Sequence, residues 1–291
     1  MSGLTVAAAL AEARALGIER LDAQLLLSHV AARPRTWVLA HDDAELDADV
    51  EAIWRRLAAR RSQGEPLAYL LGAKEFHSLM LHVDASVLVP RAETELLVDR
   101  ALEILRVRYG SGTNPRGVEH DPRVNPRVLD LGTGSGAIAL ALKAAWPAAR
   151  VCASDQSAAA LDVARANAHR LGLDVEFRTG SWWTPWSGKR FDFVLSNPPY
   201  VADGDPHLAA LSHEPVLALT AGRDGLEALR AIIGGAAAHL ERSGWLWLEH
   251  GFEQADAVQA LLHAAGFSEV ETRRDLAGQP RCSGGRLDGS A

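Results

Sequence analysis

Arg127-Val-Leu-Asp130-Leu-Gly132-Thr133-Gly134-Ser135-Gly136-Ala137 is the stretch on which the fold turns. Val128 to Leu131 is a short apolar run suited to a buried strand, and Ala137 to Trp146 is a helical segment that Pro147 stops. Between them the glycines fall in the pattern G-x-G-x-G. Glycine lets a chain turn sharply from strand into helix and lets a ligand come close to the backbone. The spacing departs from the G-x-G-x-x-G of dinucleotide-binding loops. Two readings therefore stand side by side: a tight strand-to-helix connection, or a loop shaped around a ligand.

The strand-turn-helix pattern repeats downstream. Arg150 to Ser154 reads as a second strand and Ser157 to Leu171 as its helix, with further strands at Val175 to Arg178 and Phe191 to Leu195. Leu226 to Leu240 reads as a helix, Trp245 to Glu249 as a strand and Phe252 to Ala265 as a helix. Glu269 to Arg274 is a strand, with a weak last one near Cys282. Such alternation predicts an α/β fold, a mostly parallel sheet covered by helices on both faces.

Upstream, Glu93 to Arg108 predicts a helix, and the Gly-, Pro- and Asn-rich stretch from Gly110 to Pro126 a surface loop. Phe76, Leu79, Leu81, Val83, Val87 and Val89 suggest two short strands around a turn at Asp84-Ala85-Ser86. Before them the apolar spacing is helical: Leu4 to Ala11, then Leu21 to Val30 ending before Pro34, then Asp47 to Arg61 with Val50, Ile53, Trp54 and Leu57 on one face. The organisation expected is a helical domain over 1–75, a β-hairpin linker over 76–90 and the α/β domain over 91–291.

The 291 residues leave room for this, and 48% hydrophobic with 23% charged residues argues against disorder, collagen and coiled coil. No apolar stretch has the length of a membrane span. The N-terminal run Val6 to Leu10 is broken by Glu12 and Arg14, so no targeting leader is expected. Two cysteines, Cys152 and Cys282, are too few for a disulfide framework or a four-thiolate zinc site, which makes a reducing, cytoplasmic setting the default. The eleven histidines show no metal-ligand spacing, so no metal is expected. A net charge of −7 lacks a general attraction for phosphate backbones, and no direct nucleic-acid partner is expected. Arg55, Arg56, Arg60 and Arg61 could touch an acidic partner; a solvated helix face is the plainer reading.

Two further stretches turn the glycine loop into a site. Asp155 closes the second strand, 23 residues after Gly132. A carboxylate there can accept both ribose hydroxyls of a nucleoside lying across the strand ends; the alternative is an N-cap for the helix at Ser157. Asn197-Pro198-Pro199-Tyr200 ends the strand that begins at Phe191. Prolines lack the N–H a parallel ladder needs, so the strand must stop. Its tip then offers the Asn197 side-chain oxygen and the Pro198 carbonyl as acceptors. An amino group bound there donates both hydrogens, and Tyr200 can stack on a planar substrate. A plain Asn-Pro turn is the alternative.

Asp130 to Gly136, Asp155 and Asn197 to Tyr200 resemble the class I S-adenosylmethionine-dependent methyltransferases that act on planar nitrogen. Glu65 to Gly72, Glu75-Phe76, Val89-Pro-Arg-Ala-Glu-Thr-Glu95, Asp205-Pro-His-Leu208 and Leu248-Glu-His-Gly251 narrow this. With them the chain, from residue 10 to residue 282, is similar to the release-factor glutamine N5-methyltransferases, the PrmC/HemK family. The resemblance implies a seven-stranded Rossmann-like catalytic domain behind a helical domain and a hairpin. It also implies S-adenosylmethionine as cofactor, and methylation of the glutamine in the Gly-Gly-Gln loop of bacterial class 1 peptide-chain release factors. Carried over by motif, Gly132, Thr133, Gly134, Ser135, Gly136, Asp155, Trp182 and Asn197 would hold the cofactor, Trp182 beside the adenine. Asn197, Pro198, Pro199 and Tyr200 would hold the glutamine, Asn197 and Pro198 as the catalytic pair. The chain departs from the family at Ala92, where proline is usual, and at His213 of His213-Glu214-Pro215, where phenylalanine is usual.

A glutamine amide nitrogen is a poor nucleophile, because its lone pair is delocalised, and far too weak an acid to be deprotonated first. Acceptors on both its N–H groups favour a pyramidal nitrogen and stabilise positive charge growing there. Alignment supplies much of the rest. Neither a metal nor a covalent intermediate is required. His250, Glu93 and Glu95 stand as further cleft candidates beside plain structural roles. Methylation of adenine or cytosine amino groups in nucleic acid shares the clamp, but the acidic balance and the lack of a basic insertion count against it. Methylation of a ribosomal-protein glutamine is disfavoured by the Asp205–Leu208 and Leu248–Gly251 resemblance. A nucleoside-binding module without catalysis is disfavoured by the intact Asn197–Tyr200 stretch.

Overall fold

Residues 3–109 and 125–288 are described in the computed structural model, and the chain divides after Lys74 into two units. The first carries α1 (Val6–Ala15), α2 (Arg20–Val30), α3 (Arg35–Ala40), α4 (Ala48–Ser62) and α5 (Leu67–Leu71). Thr5 caps α1 by accepting the Ala8 N–H at 3.2 Å. Ala9 and Ala13 keep α1 slim where it meets the core, around fully enclosed Leu26, Leu27 and Trp54. The short helices α3 and α5 are too brief to show a period, and a proline precedes each as its N-cap residue, Pro34 and Pro66. Proline's fixed φ and missing N–H suit a helix start, so Pro34 opens α3 as well as closing the reach of α2. Arg55 pairs with Glu12 and Glu51, Arg60 with Glu65, and Arg61 with Asp22 at 2.9 Å. Solvent screening leaves such exposed pairs worth little; three of the four clustered arginines are thus paired on a solvated face.

A hairpin of β1 (Ala73–Phe76) and β2 (Leu79–His82) follows, and its position corrects the sequence reading. The chain reverses at His77-Ser78, both left-handed with φ of 48° and 64°, and not at Asp84-Ala85-Ser86. Neither turn residue is a glycine. Carboxylates capture the freed donors instead: Glu95 accepts the His77 N–H at 2.9 Å and Glu75 the Ser78 N–H at 2.6 Å. Those bonds support a mirror-image turn that the side chains alone would disfavour. Asp84 accepts the Ser86 N–H at 2.8 Å, an Asx turn that bends the chain after the strand has ended. α6 (Glu95–Tyr109) comes next, and residues 110–124 of the expected surface loop lie outside the described residues.

The rest alternates as expected: β3 (Arg127–Leu131), α7 (Ala137–Ala145), β4 (Arg150–Asp155), α8 (Ala158–Leu171), β5 (Glu176–Thr179), β6 (Phe191–Ser196), α9 (Glu227–His239), β7 (Leu240–Glu249), α10 (Ala255–Ala264), β8 (Phe267–Arg274) and β9 (Pro280–Leu287). The seven-stranded sheet has the order β5-β4-β3-β6-β7-β9-β8. Its first five strands are parallel and the last two join antiparallel. The residues of β3, β6 and β7 alternate between two cores. Val128, Phe193, Leu195 and Trp247 pack with α6 and α7, while Leu129, Leu131, Val194 and Leu248 pack with α9 and α10.

β9 is a full eight-residue strand rather than a weak one. Its pattern is blurred because Gly284 faces Trp247: a Cβ at Gly284 would lie 2.4 Å from the indole and 2.4 Å from the Leu246 carbonyl. A side chain there is sterically excluded, so the residue that makes the packing possible hides the strand. The chain runs outward from β3 to β5 and returns to β6 on the other side of β3. That reversal opens a crevice at the carboxyl ends of β3 and β6, where ligands of such sheets bind.

Candidate active site

β3, β4 and β6 each deliver one sequence-marked stretch to that crevice. After β3, the Gly132 and Thr133 N–H groups donate to the Ser154 carbonyl at 2.8 and 3.0 Å, tying the glycine loop to β4. Gly132 has a φ of 71°, and a Cβ on it would lie 3.5 Å from the Trp182 indole. Behind the loop, Asp130 is completely buried. One of its oxygens accepts the Thr133 hydroxyl at 2.6 Å and the Ala139 N–H at 3.3 Å, while the other has no partner among the described residues. Burial pushes this carboxyl up to about 7, against the pull of the two donors. Asn167 of α8 steadies the loop from outside, donating to Ser135 at 3.0 Å and binding the His82 N–H and carbonyl at 2.7 and 2.9 Å.

Asp155 ends β4. Its oxygens accept the Gly134 N–H and the Ser157 N–H, each at 2.9 Å. The cap of α8 is Ser157, whose hydroxyl accepts the Ala160 N–H at 3.1 Å, so the N-cap reading of Asp155 falls. Burial raises the Asp155 carboxyl, opposed by the backbone donors. The Gln156 N–H also bonds this carboxylate, so of its roughly four acceptor sites one is left for a further hydroxyl.

Asn197 lies just past β6. Its Nδ2 donates to the Thr94 hydroxyl at 3.1 Å, and Thr94 donates to Glu249 Oε2 at 2.6 Å. The Tyr200 hydroxyl donates to Glu249 Oε1 at 3.3 Å. Glu249 is 2% exposed, and burial carries its carboxyl up to about 7 although both donors favour the ionised form. Burial beside Glu249 pushes the Tyr200 phenol well above its ordinary value.

An open cleft joins these stretches. Of the sequence-marked residues, Gly132, Thr133, Gly134, Ser135, Asp155, Trp182, Asn197 and Pro199 line it. Gly136, Pro198 and Tyr200 are not among the residues that line it. Gly136, at φ 85°, is bare for packing: a Cβ would meet Leu140 at 3.0 Å and Ala164 at 3.3 Å. Tyr200 binds Glu249, and its carbonyl accepts the Gln254 amide at 3.1 Å. His250 is fully buried between Ser283 and the Gly251 carbonyl at 2.8 Å each, and Glu95 anchors the hairpin turn; neither lines the cleft.

The sequence reading passed over Thr94, Glu249 and the roof. Ser86 to Leu88 and Pro90 lie on one side of that roof and Pro215, Leu217 and Ala218 on the other. Buried Glu214 fastens the two sides, accepting the Val89 N–H at 3.0 Å and the Arg91 guanidinium. Thr94 and Glu214 both sit in or beside the stretches that carried the family resemblance, which was the available signal. Among the described residues no cluster of His, Cys, Asp and Glu is placed to hold a metal ion, and no helix is long and apolar enough to cross a membrane.

Comparison with known proteins gives the following. A methyltransferase small domain model matches residues 118–214, and a PrmC N-terminal domain model matches residues 4–72. A release factor glutamine methyltransferase of Bordetella pertussis is 49% identical over 93% of this chain and 96% of its own length. One of Burkholderia pseudomallei is 47% identical over 95% of each. Among solved structures, the catalytic domain of human Mettl16 superposes with a TM-score of 0.56 at 15% identity, covering 81% of this chain and 84% of that one. At that identity the likeness concerns the fold alone.

Proposed function

The chain belongs to the release factor glutamine methyltransferase family, and from that premise we propose how its residues carry out the transfer. The enzyme moves a methyl group from S-adenosylmethionine to the side-chain amide nitrogen of a glutamine in release factors. The finer substrate proposed is the Gly-Gly-Gln glutamine of bacterial class 1 release factors, met in the cytoplasm with no direct nucleic-acid partner, in keeping with the charge of −7. The helical first unit is proposed as the part that docks the release factor.

The cleft suits the cofactor on its own geometry. The Asp155 carboxylate keeps an acceptor site for a ribose hydroxyl, and Trp182 against bare Gly132 gives a flat apolar wall for the adenine. The orphaned oxygen of Asp130 leaves an unneutralised acceptor behind the loop. When bound, S-adenosylmethionine supplies a methyl on a sulfonium sulfur, which keeps the electron pair of the broken S–C bond.

The chain's own residues do the rest. With its Nδ2 engaged by Thr94, Asn197 turns its Oδ1 to the glutamine, where it accepts one amide N–H; the other is assigned to the carbonyl of Pro198, a residue that does not itself line the cleft but sits between Asn197 and Pro199, which do. Held by two acceptors, the amide nitrogen directs its lone pair away from them, toward the methyl. As the N–C bond forms, positive charge on nitrogen is met by those two oxygens, and one N–H proton is then lost to water. The prolines keep the tip from continuing the sheet, so both acceptors stay free of backbone donors. A preorganised acceptor of this kind is worth on the order of 3 kcal/mol in the barrier.

One observation carries the reading: the Asn197 carboxamide, oriented by Thr94, shares a cleft wall with Asp155 and Trp182. The test is mass spectrometry of a purified release factor incubated with the protein and S-adenosylmethionine. One added methylene on the Gly-Gly-Gln peptide is expected; an unmodified glutamine, or methylation elsewhere, would overturn the substrate assignment.

A further inference from the structure

We propose that Thr94 and Glu249 are a positioning pair: the Glu249 carboxylate draws the Thr94 proton toward itself and thereby fixes which end of the Asn197 carboxamide faces the substrate. This deepens the clamp reading and rests on it. A threonine hydroxyl has one proton. The 2.6 Å contact to Glu249 Oε2 takes that proton, so toward Asn197, 3.1 Å away, Thr94 can only accept. Only the NH₂ end of the carboxamide satisfies an acceptor, and Oδ1 is left for the substrate amide. With the opposite orientation, acceptor would face acceptor at Thr94 and donor would face donor at the substrate, and the glutamine would lose its acceptor.

Glu249 holds this arrangement only as an acceptor at Oε2. A proton on Oε2 would be donated to Thr94, the hydroxyl would turn its own proton to Asn197, and the carboxamide would be driven to flip. Tyr200 holds Oε1 at 3.3 Å, so both donors converge on the ionised carboxylate. Glu249 does not line the cleft and touches no substrate. The other ionisable groups around it are Glu93 before α6, Arg91 near Tyr200, His250 beside it, and Arg281 and Cys282 on β9. Arg281 favours the carboxylate, and its own charge is offset by Asp275 at 2.8 Å; Glu93 opposes. Burial keeps Cys282 and Tyr200 protonated and lowers the proton affinity of His250, so these three stay neutral near pH 7. Glu249, pushed up to about 7, changes charge there. Asp130, also near 7, lies behind the cofactor loop and titrates beside the cofactor rather than the clamp.

The test is kcat/KM for a Gly-Gly-Gln peptide from pH 6 to 8.5 with S-adenosylmethionine saturating, in wild type, Thr94→Ser, Thr94→Val, Glu249→Gln and Asn197→Ala. A nuclear magnetic resonance titration of the Glu249 carboxyl carbon accompanies it. Wild type should lose activity as pH falls through the inflection that the carboxyl carbon reports. Thr94→Ser keeps the hydroxyl and should keep both rate and profile. Thr94→Val should lose about tenfold to a hundredfold, the worth of an orphaned buried donor, and its remaining activity should no longer follow Glu249. Glu249→Gln, whose amide oxygen can still accept from Thr94, should lose less and lose the acidic limb. Wild-type rates in Thr94→Val, or an acidic limb that persists in both Thr94→Val and Glu249→Gln, would overturn the pair. If Asn197→Ala also kept wild-type activity, the clamp itself would have failed; if Asn197→Ala were inactive, only the positioning pair would have.

Discussion

Asp155→Asn separates what the β4 carboxylate does for the protein from what it does for the cofactor. The substitution keeps the shape but removes one charge and one acceptor. In the structure both oxygens already accept backbone N–H groups, from Gly134 and from Ser157, each at 2.9 Å. An amide satisfies one of them and turns its NH₂ against the other. Leaving one such N–H unpaired costs about 1–3 kcal/mol, and this cost is present without cofactor. Burial works the other way, since it raises the Asp155 carboxyl and a neutral amide escapes that penalty. The free protein should therefore melt only a few degrees lower, at about 2–4 °C per kcal/mol for a chain of this size. The cofactor loses a charged acceptor for its ribose, about 1.5–3 kcal/mol per hydrogen bond, which is roughly a tenfold to two-hundredfold rise in Kd. Calorimetric titration of S-adenosylmethionine into both proteins, with melting curves of each alone, reads the two parts separately. A Kd within about threefold of wild type, less than half the smallest loss expected, would refute the ribose role.

Other outcomes are equally concrete. Because burial raises Glu249 to about 7, the native state keeps a proton that the unfolded chain gives up at ordinary carboxylate pH. The stability from this group is whole below about pH 4 and is lost as pH rises through about 7, at most about 3 kcal/mol. Glu249→Gln should thus melt higher than wild type at pH 8 and alike at pH 4; parallel pH dependence in the two proteins would contradict this. Gly284→Ala puts a Cβ 2.4 Å from the Trp247 indole and the Leu246 carbonyl, and should lower Tm by about 2–12 °C through overpacking. An unchanged Tm would mean that β9 packs otherwise. Removing residues 1–72, which leaves the β1–β2 hairpin whole, should abolish methylation of an intact release factor while S-adenosylmethionine still binds by calorimetry. Undiminished methylation by that protein would remove the docking role from the first unit.

The parts of this molecule that were legible in the sequence are those whose physics is local. A glycine turn between strand and helix, a carboxylate at a strand end and two prolines after an apolar strand each state their geometry within a few residues. They located the crevice and eight residues of its wall. The His77-Ser78 turn was hidden because its left-handed backbone is supported by carboxylates, one of them on Glu95, 18 residues away. β9 was hidden because Gly284 yields its side-chain space to Trp247. The orientation of Asn197 depends on Thr94, 103 residues upstream, and Thr94 in turn on Glu249, 155 residues further along. No period or spacing announces a chain of three polar groups that only the folded sheet assembles. Gly136 carries a constraint the motif does not state, since a Cβ there would meet Leu140 and Ala164.

Single-turnover methylation of a Gly-Gly-Gln peptide by Asn197→Ala, with cofactor saturating and its binding measured separately, tests the clamp most directly. A fall in the transfer rate of about a hundredfold or more, with cofactor affinity kept within a few-fold, is the predicted result. Transfer at the wild-type rate would show that the glutamine amide is activated by some other group, and that the tip of β6 is only a turn.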